Sequence, residues 1–272
     1  MTLLRWEHHS GPRLVEVLTE DTVLVCAVGA IEHHGAHLPL DTDTAIAEAV
    51  AEGAASRAHE AGVRVLLLPS LRYAKSDEHR WAPGTLWLSA QTLMATIREL
   101  GHAIATTSAR RILFVNGHGG NVPIVQLMLR ELRIDDGLLA FSTTAFAPRL
   151  VSAPHGEDAG ERGLALHAGA AETSLMLFLR PESVDMASAE GTVPTHLESY
   201  RTIGLPPKPV SFGWSSDDLA ANGVIGDPSA ATAEYGRAIF EATVAQVAEA
   251  IGEVARFRFD DTTASATRGG RP

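Results

Sequence analysis

Val23-Leu-Val-Cys-Ala-Val-Gly29 runs directly into Ala30-Ile-Glu32-His33-His34-Gly35-Ala-His37-Leu-Pro-Leu-Asp41-Thr-Asp43, and this stretch decides the fold. Residues 23–29 are short and almost wholly apolar, the pattern of a strand buried on both faces. Residues 42 to about 61 are rich in Ala and Glu and read as a helix, with Thr42 or Asp43 as its cap. The alternation continues outward. A second strand is expected at 63–68, closed by Pro69, then a helix at 90–108. A third strand at 111–115 breaks at Asn116-Gly-His-Gly-Gly and leads to a helix at 122–134 and a fourth strand at 138–142. Residues 166–179 and 230–257 read as helices, the latter starting near Asp227 or Ser229 beside Pro228. Strands alternating with helices imply right-handed crossovers, hence an α/β three-layer sandwich around a mostly parallel sheet. We expect one domain over residues 1–259 and a frayed, small and polar tail over 260–272. No Gly-x-Gly-x-x-Gly follows the first strand and no P-loop pattern occurs, so a dinucleotide or P-loop enzyme is unsupported.

Composition narrows the function classes. The 272 residues carry a formal net charge of −11, which argues against nucleic acid and anionic membrane surfaces as partners. A single cysteine, Cys26, excludes an intrachain disulfide and a Cys-rich zinc module. No apolar run approaches the roughly 20 residues of a membrane span. The first residues lack the basic-then-apolar plan of a signal peptide, so a cytoplasmic protein is expected.

The histidines, 12 in all, carry the chemistry. The first motif packs Glu32, His33, His34, His37, Asp41 and Asp43 into one loop after the first strand, where α/β folds bind ligands. Mixed imidazole and carboxylate donors suit Zn, Mn or Fe better than Mg or Ca; the plain alternative is a polar loop capping a helix. The second motif, Asn116-Gly-His118-Gly119-Gly120-Asn121, follows the third strand; its glycines let the backbone come close and the ring enter a cleft. The third is His167-Ala-Gly-Ala-Ala-Glu172. Five residues turn a helix by about 500°, so these two do not share one helical face. His167 is therefore expected at or before a helix start, with Glu172 in its first turns. Glu172 has apolar neighbours and needs a partner, for which a metal ion is one candidate. The fourth, Tyr73-Ala-Lys75-Ser76-Asp77-Glu78-His79-Arg80-Trp81-Ala-Pro83-Gly84-Thr85, follows the second strand and reads as a partly ordered wall.

Together these motifs resemble the creatininase family, whose opening pattern is Gly-Ser-x-Glu-Gln-His-Gly-Pro-His-Leu-Pro-Leu-x-Thr-Asp. Lys75-Ser76, Pro83-Gly84-Thr85 and Gly223-Val-Ile-Gly-Asp227-Pro228 also fit, and the likeness runs from about residue 20 to 257. The resemblance implies two divalent ions per chain (Zn, Mn or Fe) bridged by a water, hydrolysis of a non-peptide or unusual C–N amide bond such as a cyclic amide or formamide, and a homo-oligomer, often a hexamer. It implies Glu32 and His118 as ligands of one ion, His34 of the other and Asp43 as the bridge. It also implies His167 as the proton shuttle, with Ser76, Glu78, His79 and Gly119 beside a small-molecule amide substrate.

The chain departs from the pattern in ways that bear on its substrate. In creatininase a Tyr and a metal-binding Glu follow the histidine matching His118; here Gly119 and Gly120 stand there. Glu172 is then expected to supply the missing carboxylate. The Gly-Gly form resembles formamide deformylase and mycofactocin peptidase relatives, which often carry an additional Glu where this chain has Ala170. Creatininase's substrate-side Trp-Asp pair is Gly163-Leu164 here, which counts against creatinine itself. Two other readings remain open: a metallopeptidase acting on a short modified peptide, and a non-catalytic binding protein that keeps the fold.

Overall fold

Four strands lie side by side in the order β2-β1-β3-β4, every neighbouring pair parallel, in a computed structural model that describes residues 5–151 and 161–259. They are β1 (Val23–Val28), β2 (Val65–Leu67), β3 (Arg111–Asn116) and β4 (Leu139–Thr144). The tail at 260–272 and most of the loop around His155, Glu157 and Asp158 lie outside the described residues. Every residue of β1 is buried, as its unbroken apolar run requires. Val23, Val25 and Ala27 face one core, and Leu24, Cys26 and Val28 face the other, the alternation a pleated strand imposes. Each fully buried Val or Leu here contributes about 1.5–3 kcal/mol.

Helices α2 (Thr42–Glu60), α5 (Ala170–Leu179) and α7 (Ala233–Arg256) pack against one face. Helices α3 (Ala90–Ala105) and α4 (Val122–Asp136) cover the other, joined by the short α1 (Gly11–Val17). This is the three-layer α/β arrangement the alternation implied. A smaller apolar cluster of Leu197, Leu219, Ala220 and Ile225 supports the loops near the one-turn α6 (Ser216–Leu219).

Several boundaries move for local reasons. Neither Thr42 nor Asp43 caps α2: Thr42 is its first residue, its hydroxyl donates to the Pro39 carbonyl at 2.7 Å, and Asp43 lies in the first turn. Helix α5 starts at Ala170 rather than 166, because Ala168 takes a left-handed φ of 55° and Gly169 is extended. Helix α7 starts at Ala233, where the Thr232 side chain accepts from the Tyr235 N–H. Asp227 instead caps a separate 3-10 turn, Pro228–Ala230.

The ends of β1 and β3 lie next to each other, Val28 opposite Asn116, with the Gly117 N–H donating to the Val28 carbonyl at 2.8 Å. The two richest sequence motifs therefore leave the sheet at adjacent points. Gly29 permits this: a Cβ there would meet the backbone and side chain of Thr44, so the start of α2 closes directly onto the strand end.

Candidate metal centre

Four separate segments place their side chains around Glu32. Its carboxylate is completely buried, and neither oxygen has a hydrogen-bond partner. Glu32 Oε1 lies 3.2 Å from His118 Nδ1, 3.6 Å from His167 Nδ1 and 3.7 Å from His79 Nε2. Asp43 faces His34 Nε2 at 3.2 Å and His118 Nδ1 at 3.0 Å. Glu78 Oε1 lies 3.2 Å from His118 Nε2. The His167 ring stacks between His34 and His79, with centroids at 4.2 and 4.1 Å.

Backbone carbonyls fix the orientation of three of these rings. One nitrogen of each donates to the main chain: His34 Nδ1 to the Glu32 carbonyl at 3.1 Å, His118 Nε2 to that of Lys75 at 2.8 Å, and His167 Nε2 to that of His33 at 2.7 Å. The other nitrogen of each, His34 Nε2, His118 Nδ1 and His167 Nδ1, then points at Glu32 or Asp43. Fixing a histidine through its outer N–H while the inner nitrogen faces an ion is how metal-binding imidazoles are held. The asparagines of the second motif secure the frame. Asn121 donates to the Gly29 carbonyl at 3.0 Å and accepts from the Lys75 N–H at 3.1 Å, tying the first, second and fourth motifs together.

The electrostatics describe a site short of cations. Burial pushes the Glu32 carboxyl up to about 8, against the pull of His118 and with Asp43 adding to the rise. Burial also pushes Glu172 up to about 7. Burial alone would lower His34, but Asp43 outweighs it and holds the imidazole near 9. His118 is likewise held well above its ordinary value, burial being overcome by Glu32, Asp43 and Glu78. Asp43 stays well below the usual carboxylate range because His34 and His118 outweigh its burial. Burial and the nearby His34 push His79 down to about 4 and His167 well below its ordinary value. Protons thus occupy the positions that divalent cations fill in sites of this composition. Unpaired buried carboxylates cost several kcal/mol in a protein interior, roughly what a bound ion offsets.

Among the described residues, two groups bring ligand atoms within 4.8 Å of one another: Glu32, His34 and His167, and Glu32, Glu78 and His118. Glu172 enters from the first turn of α5. Its Oε2 accepts from the Ala168 N–H at 2.6 Å, and its carboxyl is close enough to His34 and Asp43 to feel their charge. Two histidines counted among the possible donors of the first loop are turned elsewhere. His33 bonds the Asn222 carbonyl at 2.9 Å, edge-on to Trp81. His37 bonds the Thr173 hydroxyl at 3.1 Å. Ser76 is buried with its hydroxyl unpartnered. Gly119 lies on the exposed rim, where an added Cβ meets nothing within 4 Å. Nothing in the residue pattern marks the carbonyls of Lys75 and His33 as anchors of His118 and His167. Nor does it mark Glu161, whose carboxylate accepts from the Ala170 and Asp227 N–H groups at 2.9 Å each.

Fold and site define an α/β sandwich that gathers buried carboxylates and imidazoles at one sheet edge. The family model described as creatininase, creatinine amidohydrolase, matches residues 7–251. A mycofactocin precursor peptide peptidase from Mycobacterium ulcerans (strain Agy99) is 35% identical over 242 residues, covering 86% of this chain and 85% of the relative. A creatinine amidohydrolase from Pseudomonas putida is 30% identical over 266 residues, covering 92% and 95%. Among solved structures, a manganese form of creatininase aligns with a TM-score of 0.73 at 28% identity, over 94% of this chain and all (100%) of the other. A zinc–zinc form of a creatininase variant aligns with a TM-score of 0.72 at 27% identity, over the same shares. The chain belongs to the creatininase family.

Proposed function

We propose that this chain is a metal-dependent amidohydrolase that uses two divalent ions to cleave an amide C–N bond. One observation carries the reading: three imidazoles, each anchored through its outer nitrogen to a backbone carbonyl, turn the other nitrogen toward two buried carboxylates, of which both Glu32 oxygens and Asp43 Oδ2 have no hydrogen-bond partner. Glu32 and His118 would hold one ion, His34 and Glu172 the other, and Asp43 both. Zn, Mn and Fe all suit these donors. Such ions supply Lewis acidity, which makes water nucleophilic at neutral pH and polarises the scissile carbonyl.

The protein's own work is positioning and proton transfer. His167 is neutral at pH 7, its Nε2–H fixed on the His33 carbonyl, so Nδ1 is the free base facing the reacting centre. There it would take the proton that the attacking water loses and pass it to the departing nitrogen, which would otherwise leave as an unstable amide anion. Asp43, kept ionised, offers one oxygen to each side of the site. The buried Ser76 hydroxyl, still without a partner, is available to orient the substrate.

For the substrate, the small-amide reading (cyclic amide or formamide) stands beside a short modified peptide. Two observations favour the peptide: the open rim at Gly119, and 35% identity to a protein named as a precursor peptide peptidase. The test is product analysis with zinc- or manganese-loaded protein on cyclic amides, formamides and short peptides with modified ends. We expect turnover on one class, lost on chelation and restored by either ion. Protein that binds two ions yet cleaves none of the three classes would refute the hydrolase reading.

A further inference from the structure

We infer that Glu78 is a further metal ligand, a carboxylate added at the His118 end of the site through the space that Gly120 leaves open. The inference rests on the two-ion reading above and deepens it. Position 120 is not merely empty. A Cβ built there would collide with the Glu78 carboxylate, His118 Nε2 and the Lys75 carbonyl, so the Glu78 side chain occupies the space a side chain at 120 would need. A carboxylate reaches the His118 end of the site either from 120 or from 78, and the geometry allows only one of them.

Three further observations aim Glu78 inward. It belongs, with Glu32 and His118, to a group whose ligand atoms lie within 4.8 Å of one another. Its Oε2 is buried and makes no hydrogen bond. Lys75 Nζ lies 3.6 Å from that oxygen and is held by Asp77, while Oε1 lies 3.2 Å from His118 Nε2. The backbone at Glu78 is also clamped: the Ser215 and Ser216 hydroxyls donate to its carbonyl at 3.0 and 3.1 Å, and the Trp81 indole N–H donates to Ser216 at 2.7 Å. The turn Asp77–His79 is thus held against the start of α6, which suits a ligand more than a solvated loop. Glu172 then completes the opposite end with His34, and each ion has two carboxylate donors besides an imidazole.

Chelator-stripped wild type, Glu78→Ala and the isosteric Glu78→Gln are titrated with Zn²⁺ and Mn²⁺, with content measured by elemental analysis after dialysis. Circular dichroism checks the fold. Wild type is expected to hold two ions. Both variants should hold one, with the second weakened more than about 100-fold, beyond the range typical of a residue that only orients a ligand. The retained ion shows that the His34 end is intact. Two ions bound with less than that weakening would overturn the ligand role and leave Glu78 as a positioning residue for His118. Loss of both ions from folded variants would also overturn it, since a ligand of one ion would not release the other. Wild type binding no ion would refute the metal reading itself, an outcome distinct from either.

Discussion

Loading the metal-free protein should expel protons, and their number follows from the geometry. At pH 7 the stripped site keeps a proton on Glu32, held up to about 8 by burial, and on His34, held near 9 by Asp43 despite its burial. His118 keeps a third, since Glu32, Asp43 and Glu78 overcome its burial and hold it well above its ordinary value. Asp43 is already ionised, and Glu172, raised by burial to about 7, is half titrated. Ligands bind ions in their deprotonated inner form, so filling the site displaces between about three and four protons at pH 7, the fraction coming from Glu172. Summed over both ions, the apparent association constant should then rise by about three to four decades per pH unit near neutrality. Calorimetric titration at pH 7 in buffers of different ionisation enthalpy gives the count as the slope of observed enthalpy against buffer enthalpy. Replacing Glu32 with Gln should remove about one proton from that slope for any ion still bound. A slope below one proton for wild type would show that the buried carboxylates and imidazoles are not the ligands.

The same shifts set the stability of the stripped protein against pH. His34 is raised from 6.5 to about 9, so its contribution is complete below 6.5 and lost as pH rises through 9. Glu32, raised from 4.5 to about 8, adds a penalty that grows from pH 4.5 and is complete near 8, so the two effects overlap between 6.5 and 8. The melting temperature of stripped protein should therefore fall from pH 6.5 to 9 while metal-saturated protein resists the fall, and a stripped protein that gains stability over that range would contradict the assignment. His167→Ala should keep both ions but lose turnover by about 10²–10⁴-fold, the usual worth of a positioned acid–base group. Near-native turnover in that variant would remove His167 from proton transfer. Gly236→Ala should destabilise the fold by about 1–3 kcal/mol or more, because the new Cβ would strike the Ser174 carbonyl where α7 crosses α5. An unchanged denaturation midpoint would show that the two helices can part at no cost.

Much of the framework was legible because it rests on short-range rules. The apolar run in β1 and the glycine-bounded ends of β1 and β3 gave the parallel sheet and put the first two motifs at its edge. The second motif's glycines turned out to serve close approach: the Gly117 N–H continues the sheet bonding, and Gly120 leaves room for a carboxylate. The choice of His34 among the neighbouring histidines was legible only through the family resemblance, not through periodicity. His33, His34 and His37 share one irregular loop that turns at Gly35 with a φ of 74°, so no period of 2 or 3.6 says which ring faces inward. The carbonyls that orient the rings are main-chain atoms and leave no residue signature. The proximity of Glu78 to His118 joins segments about forty residues apart, and only the packing of the turn Asp77–His79 on α6 reveals it.

The pair His167 and Glu172 shows how the backbone reconciles a spacing that a regular helix forbids. On a continuous helix the two would diverge by about 140°. The chain instead takes a left-handed step at Ala168, a conformation that costs a non-glycine residue about 1–2 kcal/mol. That step turns the Ala168 N–H back onto the Glu172 carboxylate at 2.6 Å and lets the His167 carbonyl and amide pair with Ile225 at 2.9 and 3.2 Å. Glu161 bonds the amides on both sides of the same junction, Ala170 and Asp227. The strain is therefore borne by three anchors, two of them local and one, Ile225, from a distant segment, and its product is local: His167 and Glu172 reach the same cluster from opposite sides of a helix start. Strain held at this point, where a smoother backbone would separate the two side chains, is what a site selected for chemistry rather than for stability is expected to show.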